Sequence, residues 1–228
     1  MVVNFYNIVK KEAKTINPNY DTHKIKIPFR MCVSGPSGTC KTLSILNLIY
    51  LMNKSFHEII YCIKTADEPL VKHLEEKTNT RIYENGEVPP LSDFCYTDPQ
   101  TNRVKSNDKL QRLIIFDDLM LETKAIEKIK EYYIKGRKIC GGISCIFISQ
   151  SYFRINKLIR DNSSYFILTK NLLKKDLKMI ISLFPARLSL EEFYSMYEEL
   201  TKGDINFVLI DIEKRRIAQN INGREYSL

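Results

Sequence analysis

A glycine-rich segment between two apolar runs constrains this chain more than any other feature of its sequence. Phe29–Ser34 has the continuous apolar character of a strand buried on both faces, and Thr42–Met52 is typical of a core helix. The segment Gly35–Lys41 joins them directly. In such a loop, backbone N–H groups and the positive end of the helix dipole surround a phosphate group. The segment therefore predicts a phosphate-binding loop, and its flanking strand and helix disfavour a chance glycine-rich turn.

The last residues of this loop carry distinct expected roles. The Lys41 amine is expected to reach the β- and γ-phosphate oxygens of a nucleotide, and the Thr42 hydroxyl to ligate Mg²⁺. Cys40 stands where the pattern G-x-x-x-x-G-K-[ST] has its second glycine. Its Cβ is tolerated if the residue has helix-like dihedrals, and otherwise crowds the phosphates. The expected nucleotide contacts are Gly35, Pro36, Ser37, Gly38, Thr39, Cys40, Lys41 and Thr42.

Two adjacent carboxylates end another apolar run, Arg112–Asp117. At the carboxyl edge of a parallel sheet they would face the phosphate loop. Asp117 is expected to hold Mg²⁺, and Asp118 to polarise an attacking water. An acidic pair that merely caps a strand end is the alternative, and only the combination with the phosphate loop favours the catalytic interpretation.

Short apolar runs alternate with helical patterns along much of the chain, which predicts right-handed βαβ units and a mostly parallel sheet flanked by helices. Thr123 is expected to cap the start of one helix and Gly136 to end it. The further predicted strands are Glu58–Lys64, Ile143–Ser149 and Tyr165–Thr169, and the further predicted helices are Lys124–Lys135, Leu172–Leu183 and Leu190–Lys202.

The expected organisation is one α/β domain with extensions at both ends. Residues 1–27 are a polar N-terminal extension, 28–170 the phosphate-binding core, and 171–228 C-terminal helices and a hairpin that complete the same domain. The hairpin would pair Asn206–Ile212 with Arg216–Ile221. The polar stretch Thr78–Leu110 is interpreted as an insertion or a long loop.

Two further polar residues have two interpretations each. Gln150 follows the predicted strand Ile143–Ser149, so it either contacts the γ-phosphate or attacking water, or is a solvated loop residue. Arg137 lies between a helix and a strand, at the amino edge of the sheet and away from its own nucleotide. It either makes a structural surface contact or reaches a neighbouring subunit's ATP as an arginine finger. Arg154 and Arg160, on the loop after Gln150, are the alternative candidates.

Composition narrows the class of partner and compartment. The 228 residues carry a net charge of +8, which slightly favours a polyanionic partner such as nucleic acid over a merely solubilising surface. The six cysteines form no C-x-x-C pair, so we expect them to be reduced, intracellular and mostly structural. No apolar run approaches the ~20 residues that span a bilayer, so no membrane insertion is expected.

Four segments together carry a resemblance to a known group of proteins. Pro28–Thr42, Leu113–Leu119, Tyr133–Lys138 and Ile146–Phe153 resemble, in this order, the FtsK–HerA superfamily. They are most similar to the genome-packaging ATPases of poxviruses, other large DNA viruses, virophages and Polinton-like elements. The resemblance implies a P-loop NTPase of the RecA-like (ASCE) type, with a short C-terminal α+β extension. It also implies an ATP-hydrolysing translocase that packages viral double-stranded DNA into a preformed capsid.

The resemblance also implies partners and roles. A homo-oligomeric ring, hexameric or pentameric, would surround the DNA and contact capsid or vertex proteins at a cytoplasmic or nuclear site of virus assembly, or in association with the virion. ATP and Mg²⁺ would be the ligands, with Arg137 as the finger in trans and Gln150 as the sensor. Lys138 departs from the histidine that such proteins often have.

Candidate DNA contacts and rival functions stay open from the sequence. The basic loop Thr101–Lys109, with Arg103, Lys105 and Lys109, is the first candidate for DNA contact, against a solvated insertion. The rivals are another DNA-pumping ATPase of the same superfamily, a nucleoside or nucleotide kinase, and a non-hydrolysing ATP-binding assembly factor in which Cys40 has disabled turnover.

Overall fold

The computed structural model describes residues 15–119, 121–139, 142–183 and 188–227. The helices are α1 (Tyr20–His23), α2 (Lys41–Leu51), α3 (Pro69–Lys77), α4 (Thr123–Lys135), α5 (Lys157–Asp161), α6 (Lys174–Ile181) and α7 (Leu190–Leu200). The strands are β1 (Arg30–Ser34), β2 (Glu58–Cys62), β3 (Thr80–Tyr83), β4 (Cys95–Asp98), β5 (Arg103–Ser106), β6 (Arg112–Asp117), β7 (Ile143–Ser149), β8 (Tyr165–Thr169), β9 (Phe207–Asp211), β10 (Arg216–Gln219) and β11 (Glu225–Ser227). Short 3₁₀ turns lie at Leu91–Asp93 and Gly136–Lys138.

Nine strands form one sheet in the order β11-β10-β9-β8-β1-β7-β6-β2-β3. From β3 to β8 the neighbouring strands are parallel, and β9, β10 and β11 then add in antiparallel fashion. Strand β7 lies between β1 and β6, so the strand of the phosphate loop and the strand of the acidic pair are separated by one strand. The expected α/β fold with a mostly parallel sheet is confirmed.

Each face of the sheet packs against its own hydrophobic core, because successive side chains of a strand point to opposite faces. On β1, Cys32 belongs to the core under α4, α6 and α7, whereas Met31 and Val33 belong to the core under α2 and α3. All five residues of β1 are buried. The prediction that this apolar run forms a strand buried on both faces is therefore correct.

A buried arginine connects the sheet to helix α4 at the amino edge of the sheet. Arg30 is fully buried, and its guanidinium donates to Tyr132 O at 2.7 Å, Tyr133 O at 3.3 Å and Ile143 O at 2.5 Å. Two of these carbonyls belong to the last turn of α4, where a cation is favoured by the helix dipole. The strand that leads to the phosphate loop is thus bonded to the end of α4.

The segment Thr78–Leu110 is more structured than the insertion or long loop that was expected. It contains β3, which extends the sheet beside β2, and the two-stranded hairpin β4–β5. Sequence pattern missed β3 because an edge strand is covered incompletely, and its residues are only partly buried or exposed. Helix α3 was also not predicted as a separate element.

The remaining element predictions agree with the structure to within a few residues at their ends. Thr123 is the first residue of α4 and not its cap, which is Glu122, and Glu122 makes no side-chain capping hydrogen bond. The expected C-terminal hairpin is formed by β9 and β10, and β11 was not foreseen. None of the helices in the described ranges is long and apolar enough to cross a membrane.

Candidate active site

The phosphate loop lies at the carboxyl edge of β1 and is held by two threonines. Thr39 Oγ1 donates to Pro36 O at 2.7 Å and lies 2.6 Å from Thr169 Oγ1, which comes from the end of β8. A Cβ added to Gly35 would lie 1.7 Å from Thr169 Oγ1 and 2.8 Å from Thr39 Oγ1. Gly35 is therefore required because no larger residue fits against this threonine pair.

Cys40 has the backbone conformation of a glycine position. Its φ of 63° and ψ of 30° lie in the left-handed region, where an L-residue is strained by roughly 1–2 kcal/mol. The condition set by the sequence, right-handed helix-like dihedrals at Cys40, is not met. The Cys40 thiol donates to Asp204 O at 3.3 Å, so the loop before β9 contacts the phosphate loop.

Lys41 begins α2 and turns back over the loop. Its Nζ donates to Pro36 O at 2.8 Å. Burial lowers the pKa of Lys41, while the nearby carboxylates of Asp117 and Asp118 act in the opposite direction. The structure therefore brings together the lysine and the acidic pair that the sequence places far apart, and the amine lies where a phosphate would replace its carbonyl partner.

Asp117 ends β6 and receives a hydrogen bond from a residue that the sequence analysis missed. The hydroxyl of Tyr61, on the neighbouring strand β2, donates to Asp117 Oδ2 at 2.8 Å. Burial raises the pKa of Asp117 to about 6, and the Tyr61 hydrogen bond opposes that rise. Tyr61 sits in an apolar strand, so its sequence pattern predicts only a core residue.

Asp118 lies just beyond the strand and is joined to Gln150. Its φ of 51° is left-handed, and its backbone N–H donates to Ile148 O at 3.2 Å on the adjacent strand β7. Gln150 Nε2 donates to Asp118 Oδ2 at 2.9 Å. The amide at the end of β7 and the second carboxylate therefore form one polar pair at the edge of the sheet.

A third carboxylate, Glu68, also faces this edge and was not predicted. It precedes α3 on the loop after β2, and its charge raises the pKa values of Asp117 and Tyr61. A lone glutamate before a proline belongs to no motif, so no sequence pattern indicates a role for Glu68. The site thus combines one lysine with three acidic side chains.

The loop that follows Gln150 is anchored by a buried aspartate of α6. Asp176 is 1% exposed, and its carboxylate accepts hydrogen bonds from Ser151 Oγ at 3.1 Å and from the Phe153 N–H at 2.7 Å. These bonds hold the chain immediately after Gln150. They restrict the positions from which the Gln150 amide can reach Asp118.

Arg137 lies at the opposite, amino edge of the sheet, as its place in the sequence implies. It is exposed in the turn after α4, and its guanidinium donates to Asn162 O at 3.3 Å and Ser164 Oγ at 3.4 Å. Arg160 lies in α5 and not on the loop. Its guanidinium carbon lies over the Tyr152 ring, 5.3 Å from the ring centroid. Arg154 is exposed on the loop itself.

The oxygen donors at the edge suit a small hard cation. In the described part of the chain, no group of three or more His, Cys, Asp or Glu side chains has metal-binding geometry. Mg²⁺ needs no such group, because it is usually held by one or two carboxylates together with substrate phosphates and waters. Asp117, which accepts a hydrogen bond from Tyr61, and the Thr42 hydroxyl in the first turn of α2 supply a suitable pair of protein oxygens.

The chain matches a known protein family. The family described as Poxvirus A32 protein matches residues 19–210, which is more than half of the chain. The chain belongs to the poxvirus A32 protein family. Its members are viral DNA-packaging ATPases, so the resemblance and the enzyme class expected from the sequence are confirmed. No curated protein matches the chain.

Solved structures with low sequence identity share its fold. The DNA-packaging ATPase B204 from Sulfolobus turreted icosahedral virus is 12% identical, with 90% of this chain and 98% of that chain covered and a TM-score of 0.53. The genome packaging NTPase B204 from Sulfolobus turreted icosahedral virus 2, in complex with AMP, is 11% identical over 86% and 98% of the two chains, with a TM-score of 0.54.

A secretion ATPase gives a similar degree of likeness. The cytoplasmic domain of the Thermomonospora curvata type VII secretion ATPase EccC is 14% identical over 86% of this chain but only 25% of that chain, with a TM-score of 0.54. These three similarities establish a common fold. They agree with the P-loop NTPase fold class expected from the sequence.

Proposed function

We propose that this site hydrolyses Mg²⁺-bound ATP, and that a homo-oligomeric ring of the chain uses the reaction to move double-stranded DNA into a capsid. The observation that carries the proposal is the convergence of Lys41, Asp117, Asp118 and Gln150 at one edge of the sheet. Membership of the poxvirus A32 protein family supports the packaging role.

Each group has a role that follows from its position. The loop Gly35–Thr42 would bind the phosphates through its N–H groups, and Lys41 would leave Pro36 O for the β- and γ-phosphate oxygens. Asp118 would accept a proton from the attacking water, and Gln150, which already bonds to Asp118, would orient that water. These groups act on the γ-phosphate side of the loop.

Mg²⁺ would be held by Asp117 and the Thr42 hydroxyl. When bound, the ion would neutralise the negative charge that develops on the phosphate oxygens during transfer. Asp117 must be ionised for this role, and its pKa of about 6 leaves it mostly ionised at neutral pH. The residues present therefore fit the ion.

The proposed ring places Arg137 against a neighbouring subunit. The side chain is exposed and lies at the sheet edge opposite its own phosphate loop, so it can serve only a nucleotide bound elsewhere. The net charge of +8 supports contact with DNA. The segment Thr101–Lys109, with Arg103, Lys105 and Lys109, stays the first candidate for that contact, although Lys105 is paired with Asp98.

A nucleotide kinase is the strongest rival, because it also needs a phosphate loop. It does not account for the Gln150–Asp118 pair, which would place a water instead of an acceptor substrate next to the γ-phosphate. A non-hydrolysing assembly factor is the other rival, since Cys40 occupies a strained glycine position. Capsid or vertex proteins are the expected partners at the site of virus assembly, cytoplasmic or nuclear.

The test is steady-state release of phosphate from ATP, with and without linear duplex DNA. We expect Mg²⁺-dependent release that DNA stimulates, and its loss in Lys41→Ala without loss of the fold. Lys178→Ala, which removes an exposed lysine of α6, is the matched control and should behave as the parent. No release under any condition would favour the assembly factor, and near-parental turnover of folded Lys41→Ala would contradict the site.

A further inference from the structure

We propose that Tyr61 is a positioning residue for Mg²⁺: its hydroxyl holds the carboxylate of Asp117 and the hydroxyl of Thr42 in a single arrangement. The inference rests on the proposed function, because it concerns the metal site of that reaction. It adds a residue outside the phosphate loop and the acidic pair. Tyr61 touches neither the nucleotide nor the ion in this role, and acts through the two ligands.

The position of Tyr61 follows from strand register. Strand β2 runs parallel to β6, with Tyr61 opposite Ile115, so the two strands approach the carboxyl edge side by side. The Tyr61 side chain is fully buried, and its hydroxyl donates to Asp117 Oδ2 at 2.8 Å. The ring is part of the core under α2 and α3, while the hydroxyl lies at the edge that carries the site.

The same hydroxyl also interacts with the phosphate loop. The Thr42 side chain is a neighbour of the Tyr61 hydroxyl: burial raises the pKa of Tyr61, and Thr42 opposes that rise as a hydrogen-bond donor would. Since Tyr61 gives its own proton to Asp117, it can accept the proton of Thr42, and the chain of bonds then runs from Thr42 through Tyr61 to Asp117. One phenol thereby connects residues that lie on α2 and β6, with β7 between β1 and β6 in the sheet.

The hydrogen bond from Tyr61 determines how the Asp117 carboxylate is oriented before a metal ion binds. The bond to Tyr61 engages Oδ2 of Asp117 and fixes the rotation of the carboxylate, so less order has to be imposed when an ion binds. A buried hydroxyl also needs such a partner, since an unpaired one is unfavourable in the core. Outer partners of metal ligands typically contribute about 10–100-fold in metal affinity or activity.

A purely structural role for Tyr61 makes a different prediction. If the ring only fills the core, removal of the hydroxyl affects stability and leaves metal dependence unchanged. Tyr61→Phe keeps the ring and its packing and removes only the oxygen. Tyr132→Phe is the matched control, because Tyr132 is also fully buried and its hydroxyl donates to a single carbonyl, Pro89 O, at 2.9 Å.

The experiment titrates Mg²⁺ into mixtures of protein and ATPγS and follows nucleotide binding by calorimetry at constant pH. For Tyr61→Phe we expect the Mg²⁺ concentration at half-saturation to rise by about 10-fold or more. Affinity for ATPγS in EDTA should stay within about 2-fold of the parent, because the loop itself is intact. Tyr132→Phe should show parental values in both measurements, and thermal unfolding confirms that both variants are folded.

The outcomes separate this inference from the proposed function. Equal half-saturation for Tyr61→Phe, Tyr132→Phe and the parent, with a shifted value for Asp117→Asn, would overturn the role of Tyr61 and leave the metal site standing. An unchanged value for Asp117→Asn would overturn the metal site and the role of Tyr61 together. A large loss of ATPγS affinity in EDTA for Tyr61→Phe would show that the residue shapes the phosphate loop instead.

Discussion

Gln150 Nε2 lies 2.9 Å from Asp118 Oδ2, so the ends of β7 and β6 are joined by a hydrogen bond directly beside the proposed γ-phosphate position. The two residues are separated by 32 positions in the chain and are neighbours only because parallel strands end at the same edge. An amide that donates to this carboxylate and to a water would link the proposed base to the attacking water.

The Asp117–Asp118 pair should divide binding from chemistry. Asp118→Asn should bind Mg²⁺ and ATP but lower kcat by about 10²–10⁴-fold, because the general base is lost. Asp117→Asn should instead weaken metal-dependent nucleotide binding. Binding by calorimetry and single-turnover hydrolysis measure the two steps separately, and equal loss of the same step in both variants would contradict the division.

Gln150→Ala should lower kcat with unchanged nucleotide affinity.

The raised pKa of Asp117 has a consequence for stability. Its folded-state value of about 6 exceeds the unfolded value, so the ionised form is disfavoured in the folded protein, and this group's contribution to stability is lost as pH rises from about 4 to 6. Asp117→Asn should therefore stabilise the metal-free protein by about 1–3 kcal/mol at pH 7. Thermal unfolding in EDTA should show this gain, and show it vanish at pH 4.

The raised pKa of Asp117 affects Mg²⁺-dependent nucleotide binding in the opposite direction from stability: low pH favours the fold but weakens this binding. Protonation of Asp117 removes its charge, so Mg²⁺-dependent affinity for ATPγS should fall as pH decreases through about 6. Affinity in EDTA should change much less over that interval. A parallel decrease in both would place the titrating group elsewhere.

Replacing Cys40 with glycine should increase the stability of the protein. The left-handed backbone of Cys40 makes Cys40→Gly more stable by about 1 kcal/mol, unless loss of the thiol contact with Asp204 O offsets the gain. If the side chain also crowds the phosphates, the variant should bind ATP more tightly or turn over faster. Cys40→Ala is the control, because it removes the thiol and keeps the Cβ.

A thiol reagent provides a second measurement on the same residue. It should inhibit the parent, and bound ATP should protect against it. Cys40→Ala should resist the reagent, whereas Cys95→Ser, which removes the other partly buried cysteine among those described, should remain sensitive. Indifference of the parent to both the reagent and the glycine substitution would contradict any influence of Cys40 on the site.

Arg137 provides the test of action between subunits. Arg137→Ala should bind ATP normally yet lose about 10³-fold or more in rate, since a finger stabilises charge in the transition state. Mixing it with Lys41→Ala should restore part of the activity, because an intact site forms where an Arg137-bearing subunit adjoins a Lys41-bearing one. No recovery at any ratio in rings shown to be mixed would leave Arg137 structural, and Arg154→Ala would be the next variant to assay.

The sequence revealed the elements whose burial is uniform. Strands β1 and β6 are buried over nearly their full length, so their apolar runs located them within one residue, and the motifs at their ends located Lys41 and Asp117. Strand β3 was not predicted because none of its residues is fully buried: Arg81 is exposed and the other three are only partly buried. Tyr61 escaped for the opposite reason, since a tyrosine inside an apolar run gives no sign that its hydroxyl bonds to a distant carboxylate.

In the proposed ring, the buried guanidinium of Arg30 would couple the phosphate loop to Arg137. It fastens the base of the phosphate-loop strand to the last turn of α4, and Gly136 lies so close that an added Cβ would be 3.0 Å from its Nη2. The turn Gly136–Lys138 follows directly. We expect the phosphate loop and Arg137 of one subunit to move as one rigid unit. A conformational change that shifts the nucleotide bound in that subunit would then also reposition its Arg137 side chain relative to the neighbouring subunit. Spin labels at Asn47, exposed on the helix α2 that begins at the phosphate loop, and at Lys138 should keep a constant separation through the ATP cycle if this coupling holds.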